Sequence, residues 1–136
     1  MTLRFVLVGI GSGILFGLMD GLFQANPLAR RLYGVFDPIA RKSVNVPMGF
    51  AIDLIYGFAL ASGFMLLFTA LPGGSGLLKG LVFAGLVWFA RVFMQAASQW
   101  IMFTISIRTL LYTLLSGLVE MLILGVVYGV FLGSAL

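Results

Sequence analysis

Long apolar stretches alternate along the chain with short polar ones, and their lengths decide the reading. Four stretches, at about residues 5–24, 48–71, 79–104 and 109–131, are dominated by Leu, Ile, Val, Phe, Met, Ala and Gly. Crossing the hydrocarbon core of a bilayer takes about 20 mostly apolar residues in a helix rising 1.5 Å per residue. The pattern predicts an all-α, polytopic membrane protein, one domain over residues 1–136, in which four transmembrane helices form a bundle. The second and third spans are separated by Pro72, Gly73, Gly74, Ser75 and Gly76, a run of turn-forming residues.

The polar stretch at 25–46 has a pattern of its own. Asn26 followed by Pro27 makes an N-cap and first-turn pair, and Leu28, Leu32, Val35, Phe36 and Ile39 then recur at helical spacing, with Arg30, Arg31 and Arg41 off that stripe. This predicts a short amphipathic helix lying in the membrane interface between spans 1 and 2. Asp37 and Pro38 are placed to cap a second short turn that breaks it. Arg30, Arg31, Arg41 and Lys42 are candidate contacts for anionic lipid headgroups.

Composition narrows the chemistry. Hydrophobic residues make up 62% of the chain and charged ones 9%, far below the roughly one quarter that covers a soluble domain of this size. Mean hydropathy is +1.18. There is no cysteine and no histidine, which removes disulfides, thiolate chemistry, the commonest haem and zinc ligand and the usual general base. No cofactor or metal is expected. The first span is read as a retained helix rather than a removable signal, because only Arg4 precedes it and no small-x-small cleavage site follows.

The net charge of +4 places the chain in the membrane. Arg30, Arg31, Arg41, Lys42 and Arg108 lie on one side of the predicted spans, Arg4 and Lys79 on the other. By the positive-inside rule the 25–46 loop is cytoplasmic and both termini are outside, in a plasma membrane such as the inner membrane of a bacterium. Anionic lipid accounts for the basic loop, so nucleic acid is not an expected partner. Residues 3–9, Leu-Arg-Phe-Val-Leu-Val-Gly, resemble the opening of the GtrA-like family of small four-span proteins linked to polyprenol-bound sugar translocation. The resemblance covers under a tenth of the chain. That family's later basic and aromatic motifs are absent, and no residue role is carried over.

Lipid tails are as apolar as leucine, so spans must associate through close backbone approach and interhelical polar contacts. Gly9, Gly13, Gly17 and Gly21 lie four apart on the first span. Gly49, Asp53, Gly57 and Ala61 repeat that spacing on the second, and Gly117, Gly125, Gly129 and Gly133 on the fourth, with Met121 between. These glycine-zipper faces predict tight packing, and they exceed what one bundle needs. The surplus suggests a further copy of the chain or another membrane subunit as partner.

Charges at bilayer depth are costly, which makes each ionisable residue within a span a functional candidate. Asp20 and Asp53 fall at one depth, about three quarters of the way toward the cytoplasm, and Arg91 and Glu120 near the middle. Arg91, Gln95 and Gln99 recur every four residues on the third span, with Ser98 beside them. Thr109, Thr113, Ser116 and Glu120 share a face of the fourth, and Gln24 follows Asp20 by one turn. Turned inward together, they line a polar funnel open to the cytoplasm and closed near Arg91 and Glu120. A plainer arrangement is an Arg91–Glu120 ion pair that fixes helix register.

Three functions compete. The first is a non-enzymatic accessory or structural subunit, or a homo-oligomer, packed through the glycine faces. The alternative is a small cation- or proton-coupled transporter or channel with its polar cavity at Asp20, Asp53, Arg91 and Glu120. Three carboxylates against one guanidinium leave negative charge that a bound cation or proton would compensate. The third is an intramembrane hydrolase with Asp20 and Asp53 as acid and base; neither aspartate sits in a recognisable aspartyl membrane protease motif.

Overall fold

A computed structural model describes residues 2–39 and 45–136. Among them the secondary structure is entirely helical: α1 (Thr2–Ala25), α2 (Pro27–Leu32) running into a 3-10 segment (Tyr33–Ile39), α3 (Val46–Leu67), α4 (Gly76–Met102) and α5 (Ile107–Phe131). Helices α1, α3, α4 and α5 are each long and apolar enough to cross a membrane. Large apolar side chains point away from the protein on all four, reaching 81% exposure at Leu66 and 80% at Ile101. Such a surface needs an apolar solvent, and the chain is an integral membrane protein.

Local chemistry sets where the helices start. Asn26, Asn45, Ser75 and Ser106 each stand in extended backbone, with a side-chain oxygen accepting from the N–H three residues on, which satisfies one of the free donors of a first turn. Pro27 and Pro47 follow within the first two helical positions, where a missing N–H costs nothing. The turn between α3 and α4 passes through Gly73 at φ +136°, a conformation L side chains rarely adopt. Lys79 then reaches back. Its Nζ donates to Phe68 O at 2.7 Å and lies 4.2 Å from the Phe68 ring centroid, placing a cation at the C-terminal end of α3.

The spans pair as two hairpins with backbone in contact. In the first, a Cβ built on Gly13 would stand 2.8 Å from Asp53 O, and one on Gly57 would stand 2.6 Å from Gly13 N. In the second, a Cβ on Gly129 would stand 2.6 Å from Gly76 O, and one on Gly133 would stand 2.8 Å from Gly76 Cα. Gly9 and Gly17 face the Phe58 ring and the Asp53 carboxylate, Gly117 faces Val92, and Gly125 faces Ala84. Of the ten glycines expected to pack, only Gly21 and Gly49 have nothing within reach of an added Cβ. The supposed surplus is mostly occupied within the chain.

The hairpins meet mainly through side chains. Phe64 from α3, Phe83 from α4 and Tyr128 from α5 form an aromatic layer with centroids 5.6 to 6.3 Å apart. Tyr128 Oη donates across it to Gly57 O at 3.3 Å.

The connection after α1 departs in part from its expected form. The cap at Asn26 is present, but α-helical geometry ends at Leu32, ahead of Asp37 and Pro38, and Pro38 lies inside the 3-10 segment. The cause is tertiary. Thr109 Oγ1 donates to Leu32 O at 2.6 Å, Tyr33 Oη and Thr113 Oγ1 are 2.7 Å apart, and Asn26 Nδ2 donates to Tyr112 Oη at 2.8 Å. Tyr112 Oη in turn donates to Phe23 O. Ala29 is fully buried, whereas Leu28, Val35 and Ile39 are exposed together with Arg30 and Arg31. Arg41 and Lys42 lie outside the described residues.

Candidate functional site

A cavity of about 420 Å³ opens under this connection and runs inward between α1, α4 and α5. Asp20 and Gln24 line it from α1, Arg91, Gln95 and Gln99 from α4, and Thr113, Ser116 and Glu120 from α5. The structure thus brings together eight of the eleven polar positions expected to line the funnel. Asp53 is not among them: it lies at the α1–α3 seam, its carboxylate against Gly17. Asp53 thus does not line the cavity beside Asp20, although the two carboxylates lie within electrostatic reach of each other. Thr109 and Ser98 also lie outside the lining, with hydroxyls given to Leu32 O and Met94 O.

Arg91 sits at the inner end. It belongs to a π-helical segment, Phe89–Phe93, in which Met94 N–H donates five residues back to Phe89 O. One extra residue per turn widens the helix there and re-aims the side chains that follow, a feature common at functional positions. Arg91 Nε donates to Tyr56 Oη at 3.0 Å, and the guanidinium lies 5.0 Å from the centroids of both Phe16 and Tyr56, whose rings stack 5.2 Å apart. This replaces the expected Arg91–Glu120 ion pair. The cation rests on neutral π faces, an arrangement worth about 2 kcal/mol when desolvated.

Glu120 is therefore left without a direct cationic partner. Its residue is 3% exposed, and no hydrogen bond holds its carboxylate among the described residues. No wholly buried side-chain N or O lacks a partner, so the carboxylate oxygens are those facing the cavity. Asp20, Arg91 and Asp53 are all within electrostatic reach of it. About 12 Å further from the connection, eight residues along each helix, the Phe64, Phe83 and Tyr128 layer closes the bundle.

At the mouth, Tyr33 and Phe36 supply aromatic rings. Burial pushes the Tyr33 phenol above its usual range, Thr113 and Gln24 offsetting part of that, so the hydroxyl stays neutral. Neither Tyr33 nor the Phe16 and Tyr56 pair stands out as a site residue in the sequence. Phe36 appears only as one apolar position of a stripe, and only an Arg inside an apolar helix hints that π faces must be near. Among the described residues, no three of His, Cys, Asp and Glu gather to hold a metal ion. No family model matches the chain, nor does any curated protein or solved structure, so the short resemblance at residues 3–9 does not extend to a family.

Proposed function

We propose that the protein is a small membrane transporter that binds a cation, in exchange for or together with protons, in the cavity between Asp20, Arg91 and Glu120. One observation carries this reading: Glu120, a residue only 3% exposed, turns a carboxylate with no hydrogen-bond or cationic partner toward a polar cavity. The two lining carboxylates exceed the single guanidinium by one negative charge, and a low-dielectric site requires that charge to be compensated. The basic connection side is the cytoplasmic one, with Arg30 and Arg31 and the exposed Leu28, Val35 and Ile39 in the headgroup layer and both termini outside. An accessory role drew part of its support from surplus glycine faces, which shrink to Gly21 and Gly49 once the hairpins form.

The test is flux in reconstituted vesicles under an imposed proton or cation gradient. Wild-type protein is expected to carry a cation or protons, and Glu120→Gln to abolish the flux while retaining the wild-type thermal unfolding midpoint within a few degrees. Undiminished flux in Glu120→Gln, or no flux from wild type, overturns the proposal.

A further inference from the structure

We infer that the ligand of this cavity is a small organic cation carrying hydrogen-bonding groups, an amine or quaternary ammonium, rather than a bare metal ion. The inference rests on the transport reading and specifies its substrate class.

Size comes first. At ~30 Å³ per water the cavity has room for roughly fourteen waters, and about 420 Å³ falls within the range of small-molecule pockets. A desolvated magnesium or calcium ion needs about six or more oxygens converging at about 2 to 2.6 Å, and a desolvated sodium or potassium ion likewise needs several oxygens converging on one point. Here the oxygen-bearing groups are spread along the length of the cavity, Gln24, Gln95 and Gln99 toward the mouth and Ser116 and Glu120 within, and among the described residues no three acidic ligands gather. A ligand with several polar atoms can use such a distribution. A single ion cannot.

Charge comes second. Asp20 and Glu120 against Arg91 leave one excess negative charge in the lining, and Asp53 lies within electrostatic reach of both carboxylates, so the site suits an organic cation of charge +1 or +2. Because Arg91 is held by Phe16 and Tyr56, the ammonium finds its counter-charge at Glu120 and Asp20.

The aromatic mouth is the third observation. Tyr33 and Phe36 line the cavity with ring centroids 6.2 Å apart and tilted by 39°. Tyr33 is fixed by Thr113 at 2.7 Å and by an edge-on contact with Tyr112 at 5.8 Å. Aromatic faces beside carboxylates are the recurring means of recognising alkylammonium groups, whereas a hydrated metal ion gains little from them.

The experiment is isothermal titration of the purified full chain in nanodiscs with choline, ethanolamine and agmatine, alongside sodium, potassium and magnesium chlorides. At least one organic cation is expected to bind, with affinity lowered roughly tenfold by Phe36→Leu and restored by Phe36→Tyr, the latter showing that the loss comes from the ring and not from misfolding. Binding unchanged in Phe36→Leu, or by none of the organic cations, overturns the inference. Metal ions binding and crossing vesicles while the organic cations do neither would overturn it and leave transport standing. An organic cation that binds without being carried would overturn transport and leave the ligand class standing.

Discussion

A methyl group added at Gly57 would arrive 2.6 Å from Gly13 N and 2.8 Å from Gly13 Cα. Backbone cannot step aside as a side chain can, so Gly57→Ala is expected to destabilise the protein by about 1–3 kcal/mol. Gly21→Ala meets nothing within 4 Å and is expected to stabilise it by about 0.5–1 kcal/mol through helix propensity. Denaturation in detergent, read by circular dichroism, compares the two; equal effects would mean that α1 and α3 do not meet at Gly13 and Gly57. The four-residue spacing made such faces legible in the sequence, but not their partners. Gly117 shares the spacing of Gly125 and Gly129, yet it meets the Val92 side chain and lines the cavity. Asp53 shares the spacing of Gly49 and Gly57 and is drawn into the α1–α3 seam for that reason, away from the cavity its charge suggested.

Among the elements, the spans were readable because apolar length is a strong signal. Their starts came out two or three residues late, because Asn45, Ser75 and Ser106 act as N-caps and each helix begins directly after its cap. The π segment was not readable, since Phe-Ala-Arg-Val-Phe carries no propensity for it; it is identified by the Met94 to Phe89 bond. A π segment holds one residue more than an α-helix of equal span. Deleting Ala90 is therefore expected to restore α geometry without rotating either end of α4, to keep the unfolding midpoint within a few degrees, and to remove binding and flux by displacing Arg91 from Tyr56. Flux at the wild-type level in that variant would show that the widened turn does not serve the site. The segment after α2 illustrates the opposite error. Its apolar periodicity was read as one helix broken at Asp37 and Pro38, but hydrogen bonds to Thr109 and Thr113, which no local pattern encodes, impose the change at Tyr33.

For the whole molecule, orientation was read from seven basic residues and is open to direct measurement. The absence of cysteine makes single-cysteine variants clean reporters. In intact cells an impermeant maleimide is expected to label Thr2→Cys, and to reach Arg108→Cys only after lysis; the reverse pattern would invert the molecule and put the cavity mouth outside. The convergence of Asp20, Arg91 and Glu120 was foreseeable from depth and face alone, because a bundle this small has one interior. The seams inside each hairpin carry a mechanical consequence. Where backbones interlock, as Gly13 does with Asp53 and Gly129 with Gly76, neither helix can slide without lifting off its neighbour, so each hairpin is stiff. Between hairpins, away from the connection, the links are rings and single hydrogen bonds, Tyr56 to Arg91 and Gly57 to Tyr128, which yield to rotamer changes; at the connection Asn26, Leu32 and Tyr33 are tied to Tyr112, Thr109 and Thr113 of α5. The compliant direction of the molecule therefore runs between α1 with α3 on one side and α4 with α5 on the other, and the cavity straddles that line. A small tilt hinged on the ties at the connection would change the cavity's width between α1 and α4 while both seams stay closed.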